Sequence, residues 1–162
     1  MAQVYVSVGS NIDRQRNIAT ALQALTENYG ELQQSSVYES AAIGFDSAPF
    51  YNLVLGFSTQ QSPQAVQEQL HAIENRGGRQ RTAALSARTL DLDLLLYDDV
   101  VNDEPGIVLP RDDINRYAFV LRPLAEIAGG ERHPVSGQTY DELWAAFDAD
   151  SQPMQRVDWP PA

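Results

Sequence analysis

The fold is decided by the stretch Thr89-Leu90-Asp91-Leu92-Asp93-Leu94-Leu95-Leu96-Tyr97, in which apolar and polar residues first alternate strictly. Alternation with a period of two is typical of a strand that has one face in the core. Successive side chains of a strand point to opposite faces, so the first leucines face one way and Asp91 and Asp93 the other. We predict a strand with buried leucines and two carboxylates that share the opposite face.

The patterns before this strand predict three more strands and two helices. The strands cover Gln3–Gly9, Glu31–Ser40 and Tyr51–Thr59; one helix follows the apolar spacing of residues 18–25 and stops at Gly30, and another begins at Ser62-Pro63 and stops at Gly77-Gly78. This β-α-β-β-α-β order predicts an α+β, ferredoxin-like core, in which helices cover one face of an antiparallel sheet and the other face is free for a site.

Two helical additions are expected after the core. One covers Phe119 to Ala128, and the other begins with a capping box, Thr139 to Glu142. The tail from about residue 148 is polar, and its pattern predicts no element.

The composition limits the classes of protein that fit. A chain of 162 residues is expected to form a single domain over 1–162, and its apolar runs are too short to cross a membrane. A formal charge of −11 argues against nucleic acid or an anionic membrane as a partner. The N-terminus lacks the features of a signal peptide, so we expect a cytoplasmic protein, and we expect a monomer. Cysteine is absent, which excludes disulfides and thiolate chemistry.

The Asp91 and Asp93 pair is a candidate metal site. Residues two apart in a strand lie roughly 6.5 Å from each other, and hard carboxylate oxygens suit Mg²⁺, which takes substrate phosphates as further ligands. An Asp-x-Asp pair taken alone is more often a solvated strand face. Its neighbours favour the metal.

Four of the eleven cations of this chain lie in a short segment just before the acid pair. All eleven basic residues are arginine, which excludes a P-loop lysine or a Schiff-base lysine. Arg76, Arg79, Arg81 and Arg88 lie in one segment without any acid. Arginine's planar fork suits phosphate oxygens, and cations above metal-binding acids meet the needs of phosphoryl transfer. The alternative is a solubilising surface segment.

Aromatic residues bound the same face. Phe50 and Phe119 lie in or beside its loops, and Asn52 could pair with the edge of a planar heterocycle. His71 and His133 have no second ligand at metal spacing, so we expect both to be structural or exposed.

From about Val4 to Leu143 the sequence resembles the 6-hydroxymethyl-7,8-dihydropterin pyrophosphokinase (HPPK) family. The resemblance rests first on the stretch from Arg88 to Tyr97 and is supported by Val8-Gly9-Ser10-Asn11, Phe50-Tyr51-Asn52, Ile73-Glu74, Gly78-Arg79-Gln80-Arg81 and Phe119-Val120-Leu121-Arg122-Pro123-Leu124. It implies an ATP-dependent transfer of pyrophosphate to the pterin alcohol in folate biosynthesis, with release of AMP.

The resemblance also implies roles for individual residues. Asp91 and Asp93 would hold two Mg²⁺ ions, and Arg79 and Arg88 would act on the phosphates with them. The implied ATP contacts are Glu74, Arg79, Arg81 and Arg88, and we expect Arg111 and Arg116 to contact ATP in place of a family cation that is missing here. The implied pterin contacts are Ser40, Ile43, Phe50, Asn52 and Phe119.

This chain departs from the family pattern on the nucleotide side. Leu85-Ser86-Ala87 replaces Trp-Gly-Pro, Arg111 replaces a histidine after Pro110, and Tyr117 replaces an arginine that here lies one position earlier, at Arg116. A divergent paralogue that binds a pterin with weak, altered or no transfer is therefore one alternative. An RNA-binding domain of ferredoxin-like fold is another, and acids on the sheet argue against it.

Overall fold

The computed structural model describes residues 1–41, 48–76 and 90–160. Within them it contains, in chain order, β1 Ala2–Ser10, α1 Arg14–Tyr29, β2 Gln33–Gln34, β3 Val37–Ser40, β4 Phe50–Thr59, α2 Pro63–Arg76, β5 Asp91–Tyr97, α3 Asp113–Arg116, α4 Ala118–Ala128, α5 Tyr140–Ala146, a 3₁₀ helix Ala149–Ser151 and β6 Met154–Val157.

The strands form one antiparallel sheet in the order β5-β1-β4-β3-β6, with β2 also paired to β4. This arrangement confirms the predicted fold class. The strand predicted over Glu31–Ser40 is divided into β2 and β3. At the break, the backbone N–H of Val54 donates to Ser35 Oγ at 2.9 Å, so a side chain replaces the missing ladder bond.

The first core lies between the sheet and helices α1 and α2. Val6 of β1 and Leu92 of β5 face Ile18 and Leu25 of α1 and Leu70 of α2, and all five are at most 2% exposed. Each such side chain contributes roughly 1.5–3 kcal/mol by leaving water. The alternation of the sequence thus places the helices on this face.

A second core covers part of the opposite face. Tyr5, Val54 and Leu95 of the sheet pack against Leu121 and Leu124 of α4. We expected this face to be free. The apolar side of α4 covers the half near Tyr5. In the described parts of the chain, no helix covers the half near Ser10 at the end of β1, which is where we expect a site.

A bulge in the β1 and β5 pairing explains how β5 serves both cores. Val6 pairs with Leu94 and Tyr5 pairs with Leu96, so Leu95 has no partner in the ladder. The alternation holds up to Leu94, and beyond the bulge Leu95 and Leu96 both join the second core.

Both predicted helix starts are confirmed. Ser62 Oγ accepts from the backbone N–H of Ala65 at 3.2 Å. Thr139 Oγ1 accepts from the N–H of Glu142 at 3.1 Å, and the Glu142 carboxylate accepts from the N–H of Thr139 at 3.0 Å, which completes the capping box.

The C-terminal segment contains elements that the sequence did not predict. After the 3₁₀ helix, β6 pairs with β3, with Val157 opposite Val37 and Met154 opposite Ser40. Four residues of mixed polarity carry little periodicity, and an exposed edge of β3 supplies the partner that the pattern cannot reveal. Among the described helices, none combines the length and apolarity that a membrane span requires.

His133 is buried beside Tyr140, the first residue of α5. Its Nδ1 accepts from the backbone N–H groups of Val135 at 3.2 Å and Ser136 at 3.3 Å, and its ring meets Tyr140 edge-on at 6.3 Å. Burial lowers the pKa of His133, which favours the neutral ring. The prediction of a structural histidine agrees with this environment.

We predict that His133 makes the protein less stable in mild acid. In the unfolded chain histidine titrates near about pH 6.5. Below that pH, His133 binds a proton in the unfolded state more readily than in the folded state, so the free energy of unfolding decreases as the pH is lowered. Urea unfolding at about pH 7.5 and about pH 5.5 should give a loss of up to about 1 kcal/mol that His133→Asn removes.

The control for this experiment is His71→Asn, because His71 is exposed on α2. This variant should keep the pH dependence of the wild type. An unchanged pH dependence in His133→Asn would contradict the assignment.

Candidate active site

A row of three residues crosses three neighbouring strands at the open end of the sheet. Gly9 of β1 lies opposite Asn52 of β4 on one side and opposite Asp91 of β5 on the other. Directly opposed residues of antiparallel strands project to the same face. Strands lie about 4.8 Å apart, so the backbones of Asn52 and Asp91 are roughly 10 Å apart.

Gly9 has no side chain and so leaves room for the Asn52 amide beside it. A Cβ atom on Gly9 would lie 2.7 Å from Oδ1 of Asn52 and 3.9 Å from the Phe50 ring. The first distance is shorter than a carbon–oxygen van der Waals contact, so a side chain here would displace the buried Asn52 amide. The sequence motif contained Gly9, but only the pairing of the strands reveals what it makes room for.

The two acids of β5 share the site face, as predicted. Asp93 lies opposite Ser7 and Asp91 opposite Gly9, while Leu92 and Leu94 enter the first core. The Asp93 side chain is 36% exposed. A ligand above the sheet can therefore reach it.

Arg111 lies against the acid pair. Its Nη2 is 3.6 Å from Asp93 Oδ1, and its Nε is 3.2 Å from Asp113 Oδ2. Partial burial opposes its charge, but the attraction of Asp93, Asp113 and Asp91 prevails and raises the pKa of Arg111 above its ordinary value. The guanidinium is thus a fixed positive charge beside two candidate metal ligands.

Arg116 is placed differently. Its Nε is 3.6 Å from Asp112 Oδ2 in the same turn of helix, and its guanidinium lies 5.9 Å from the centroid of the Tyr117 ring. The structure brings Arg111 to the acids and gives Arg116 these other contacts.

Glu74 of α2 is buried, and its Oε2 accepts from the backbone N–H of Leu92 at 2.8 Å. Leu92 separates the two acids on β5, which lies at one end of the strand order. The carboxylate therefore ties α2 to the strand that carries Asp91 and Asp93. Its predicted contact with ATP stays a prediction.

The residues predicted for the pterin meet at the β3 and β4 end of the face. Asn52 Nδ2 donates to Ser40 Oγ at 3.3 Å, and Ser40 lies opposite Phe50 in the ladder. Phe119, in the first turn of α4, lines a cavity together with Ser40, and the Tyr117 ring stacks on it at 4.9 Å. Four of the five predicted pterin contacts are thus adjacent.

The remaining predicted residues lie outside the described residues: Ile43, Arg79, Arg81 and Arg88, and also Leu85.

Two hydrogen bonds hold the chain just after residue 47. Asn11 Nδ2 donates to the Ala48 carbonyl at 3.2 Å, and Arg14 donates to the Pro49 carbonyl at 3.1 Å. Arg14 also pairs with Glu39 at 2.8 Å, a role that sequence spacing did not signal.

The donor set of the acid pair suits a shared metal ion. Across residues 1–41, 48–76 and 90–160, no group of three or more His, Cys, Asp or Glu side chains could hold a metal by itself. Mg²⁺ usually binds one or two carboxylates and completes its shell with water and substrate phosphates. Asp91 and Asp93 could supply the two carboxylates of such a Mg²⁺ site.

A known protein family matches most of this chain. The sequence model described as 7,8-dihydro-6-hydroxymethylpterin-pyrophosphokinase (HPPK) matches residues 5–129, which is well over half of the chain. The chain belongs to the HPPK family. The open row of Asn52, Gly9 and Asp91 lies in the matched region, and β6 lies beyond it.

Similar proteins occur in bacteria and fungi. A 2-amino-4-hydroxy-6-hydroxymethyldihydropteridine pyrophosphokinase of Haemophilus influenzae is 35% identical over 151 residues, which cover 91% of this chain and 94% of that protein. The enzyme of the same name from Aquifex aeolicus is 35% identical and covers 83% of this chain and 86% of its own. Folic acid synthesis protein fol1 of Pneumocystis carinii is 32% identical over 83% of this chain but only 18% of its own length.

Solved structures share the fold. A wild-type HPPK-DHPS of Plasmodium falciparum superposes with a TM-score of 0.70 at 14% identity, covering 90% of this chain and 43% of that one. An HPPK-DHPS in complex with substrates gives a TM-score of 0.73 at 12% identity, with coverages of 93% and 44%. This chain spans less than half the length of both.

We predict that Gly9→Ala is destabilising. The new methyl group must displace the Asn52 amide, which is buried and bonded to Ser40, so unfolding in urea should show a loss of about 1–3 kcal/mol. The side-chain amide NMR signals of Asn52 should shift.

Gly130→Ala is the matched control, because no atom lies within 4 Å of a Cβ placed there. It should change the free energy of unfolding by less than about 0.5 kcal/mol. Equal stability of the two variants would show that the close approach at Gly9 is not energetically important.

Proposed function

We propose that this protein transfers pyrophosphate from ATP to 6-hydroxymethyl-7,8-dihydropterin, with release of AMP, as a step of folate biosynthesis. The observation that carries the proposal is the row of Asn52, Gly9 and Asp91 on one face of the sheet. It sets an amide that can bind a heterocycle roughly 10 Å from an acid that we propose as a metal ligand. That spacing suits a bicyclic ring with a one-carbon alcohol directed at the acids.

The ring end of the substrate would lie between Phe50 and Phe119, with the Asn52 amide on its polar edge. An aromatic ring stacked on either face contributes apolar contact and fixes the plane of the ligand. The Asn52 bond to Ser40 Oγ orients the amide before the ligand arrives. Ile43 is proposed to complete this pocket from the resemblance alone.

The alcohol end would meet Asp91 and Asp93, which are proposed to hold Mg²⁺, with two ions expected. When bound, Mg²⁺ neutralises charge on the triphosphate and favours ionisation of the alcohol. Glu74 fixes the strand between the acids through Leu92. Arg111 adds a positive charge beside them, and Arg79, Arg81, Arg88 and Arg116 are proposed as further phosphate contacts.

The reaction balances without a covalent enzyme intermediate. The alcohol oxygen forms a bond to the β-phosphorus of ATP, the bond from that phosphorus to the α,β-bridging oxygen breaks, and AMP leaves with that oxygen. The alcohol proton passes to solvent. The protein contributes by aligning the two substrates and by holding charge where it develops.

The relatives described above give no support to the alternative of a pterin-binding paralogue without transfer. One domain over 1–162, a monomeric state, a cytoplasmic location and the absence of nucleic-acid partners stay predictions. The single domain is supported by one sheet that contains both β1 and β6.

We predict that Asp91→Asn and Asp93→Asn each lower AMP formation by at least about a hundredfold, because each removes a charged ligand of the metal that holds the reacting phosphates. The assay supplies ATP, Mg²⁺ and the pterin alcohol and separates AMP from ADP. Asp99→Asn is the control, since Asp99 is exposed just beyond β5.

AMP should appear with the wild type and with Asp99→Asn. ADP in place of AMP would indicate a simple kinase and contradict the proposal. Full activity in both aspartate variants would remove these acids from the metal site.

We predict that Arg111→Ala raises the KM for ATP about tenfold at saturating Mg²⁺. The change removes the positive charge that Asp93 and Asp113 hold beside the acid pair, where the triphosphate would bind. The KM for the pterin alcohol should change little. Arg132→Ala is the control, because Arg132 donates to the Gly137 carbonyl in the turn before α5. An equal effect of the two variants would argue against a local role for Arg111.

A further inference from the structure

The C-terminal segment borders the proposed pterin pocket. Strand β6 begins at Met154, opposite Ser40 at the end of β3. The residues just before β6 therefore lie next to Ser40, although they are more than a hundred positions away in sequence. The family match ends at residue 129, so this segment lies outside it.

A cavity of about 150 Å³ lies between this segment and the site. It is lined by Ser40 and Ala41, by Ala118 and Phe119, and by residues 151–154. A space of this size can hold one of the two rings of a bicyclic ligand. The cavity thus joins two predicted pterin contacts to a segment that the sequence did not connect with them.

Gln152 makes a two-bond contact across this boundary. Its Nε2 donates to the Arg116 carbonyl at 2.9 Å, and its Oε1 accepts from the Ala118 N–H at 2.9 Å. The two backbone groups flank Tyr117, an extended residue with φ −126° and ψ 126° between α3 and α4. One planar amide therefore binds the backbone as a neighbouring strand would.

The contact fixes the start of α4. The first N–H groups of a helix lack partners within it, and Tyr117 at the N-cap makes no side-chain capping bond. Gln152 supplies that partner from a distant segment. Phe119 is the second residue of α4, so its ring direction depends on how this turn is held.

We propose that Gln152 is a positioning residue for the pterin and that residues 151–154 form one wall of its pocket. The inference rests on the proposed function. Gln152 acts through the first turn of α4, and the ring of Phe119 is the group that it places. The chemical class of the ligand is a planar, bicyclic heterocycle with polar edges.

The test compares Gln152→Ala with Gln155→Ala, an exposed glutamine on β6. Loss of both amide bonds should raise the Kd and the KM for 6-hydroxymethyl-7,8-dihydropterin about tenfold and leave kcat and the KM for ATP within about twofold. Amide exchange at Ala118 should become faster. Gln155→Ala should match the wild type in every measurement.

A second variant keeps the test decisive if Gln152→Ala does not fold. Gln152→Glu retains an acceptor for Ala118 but cannot donate to Arg116, so it should weaken pterin binding in the same direction and by less. Weaker pterin binding by Gln152→Glu than by the wild type, with ATP affinity unchanged, would support positioning through the first turn of α4, and pterin binding equal to that of the wild type would contradict it.

Three results would overturn the inference. Gln152→Ala could bind the pterin as tightly as the wild type, or it could lose pterin and ATP affinity equally, as general loosening would. A wild type that neither binds the pterin alcohol nor forms AMP would overturn the proposed function itself. If the wild type is active and Gln152→Ala has no effect on pterin binding, only the role of Gln152 is overturned.

Discussion

Strand β1 is hydrogen-bonded on both sides, to β4 and to β5, and this double pairing places the groups of the site. Antiparallel register decides which residues lie opposite each other, and a slip of one residue would turn every side chain to the other face. Here the register aligns Asn52, Gly9 and Asp91 in one row. The valines of β1, buried against α1, hold that register.

The protein is acidic as a whole, but Arg111 places a positive charge at the candidate site. With a formal charge of −11, the chain repels polyphosphate at long range. Arg111 brings a positive charge to Asp93 and Asp113, where the triphosphate is proposed to bind. A metal held by Asp91 and Asp93 would add to it. Local arrangement therefore outweighs net charge in deciding what can bind.

The two halves of the face serve different purposes because α4 covers only one of them. Its apolar side completes the second core near Tyr5 and Val54, and its first turn presents Phe119 to the open half. Helix α4 thus packs on the second core and also lines the proposed pterin pocket. Gln152 holds the turn where these roles meet.

Much of the fold could be predicted because its elements have strong local signals. The alternation after residue 89 predicts β5, the Ser62-Pro63 pair predicts the start of α2, and the capping box at Thr139 predicts α5. The division of the third predicted strand and the presence of β6 could not be predicted, since a short strand is decided by its partner. The site roles of all the candidate residues stay predictions, and Ile43, Arg79, Arg81 and Arg88 also lie outside the described residues.

The sequence by itself determined the chemistry that is available: two acids on one strand face, aromatic residues with an amide, and arginine as the sole cation. Only the tertiary structure decided which of these groups meet. Arg111 rather than Arg116 contacts Asp93, Glu74 supports β5 through Leu92, and Gln152 reaches the start of α4. The reason is physical: periodicity encodes which face a residue takes, whereas contacts between distant residues depend on strand register and helix packing.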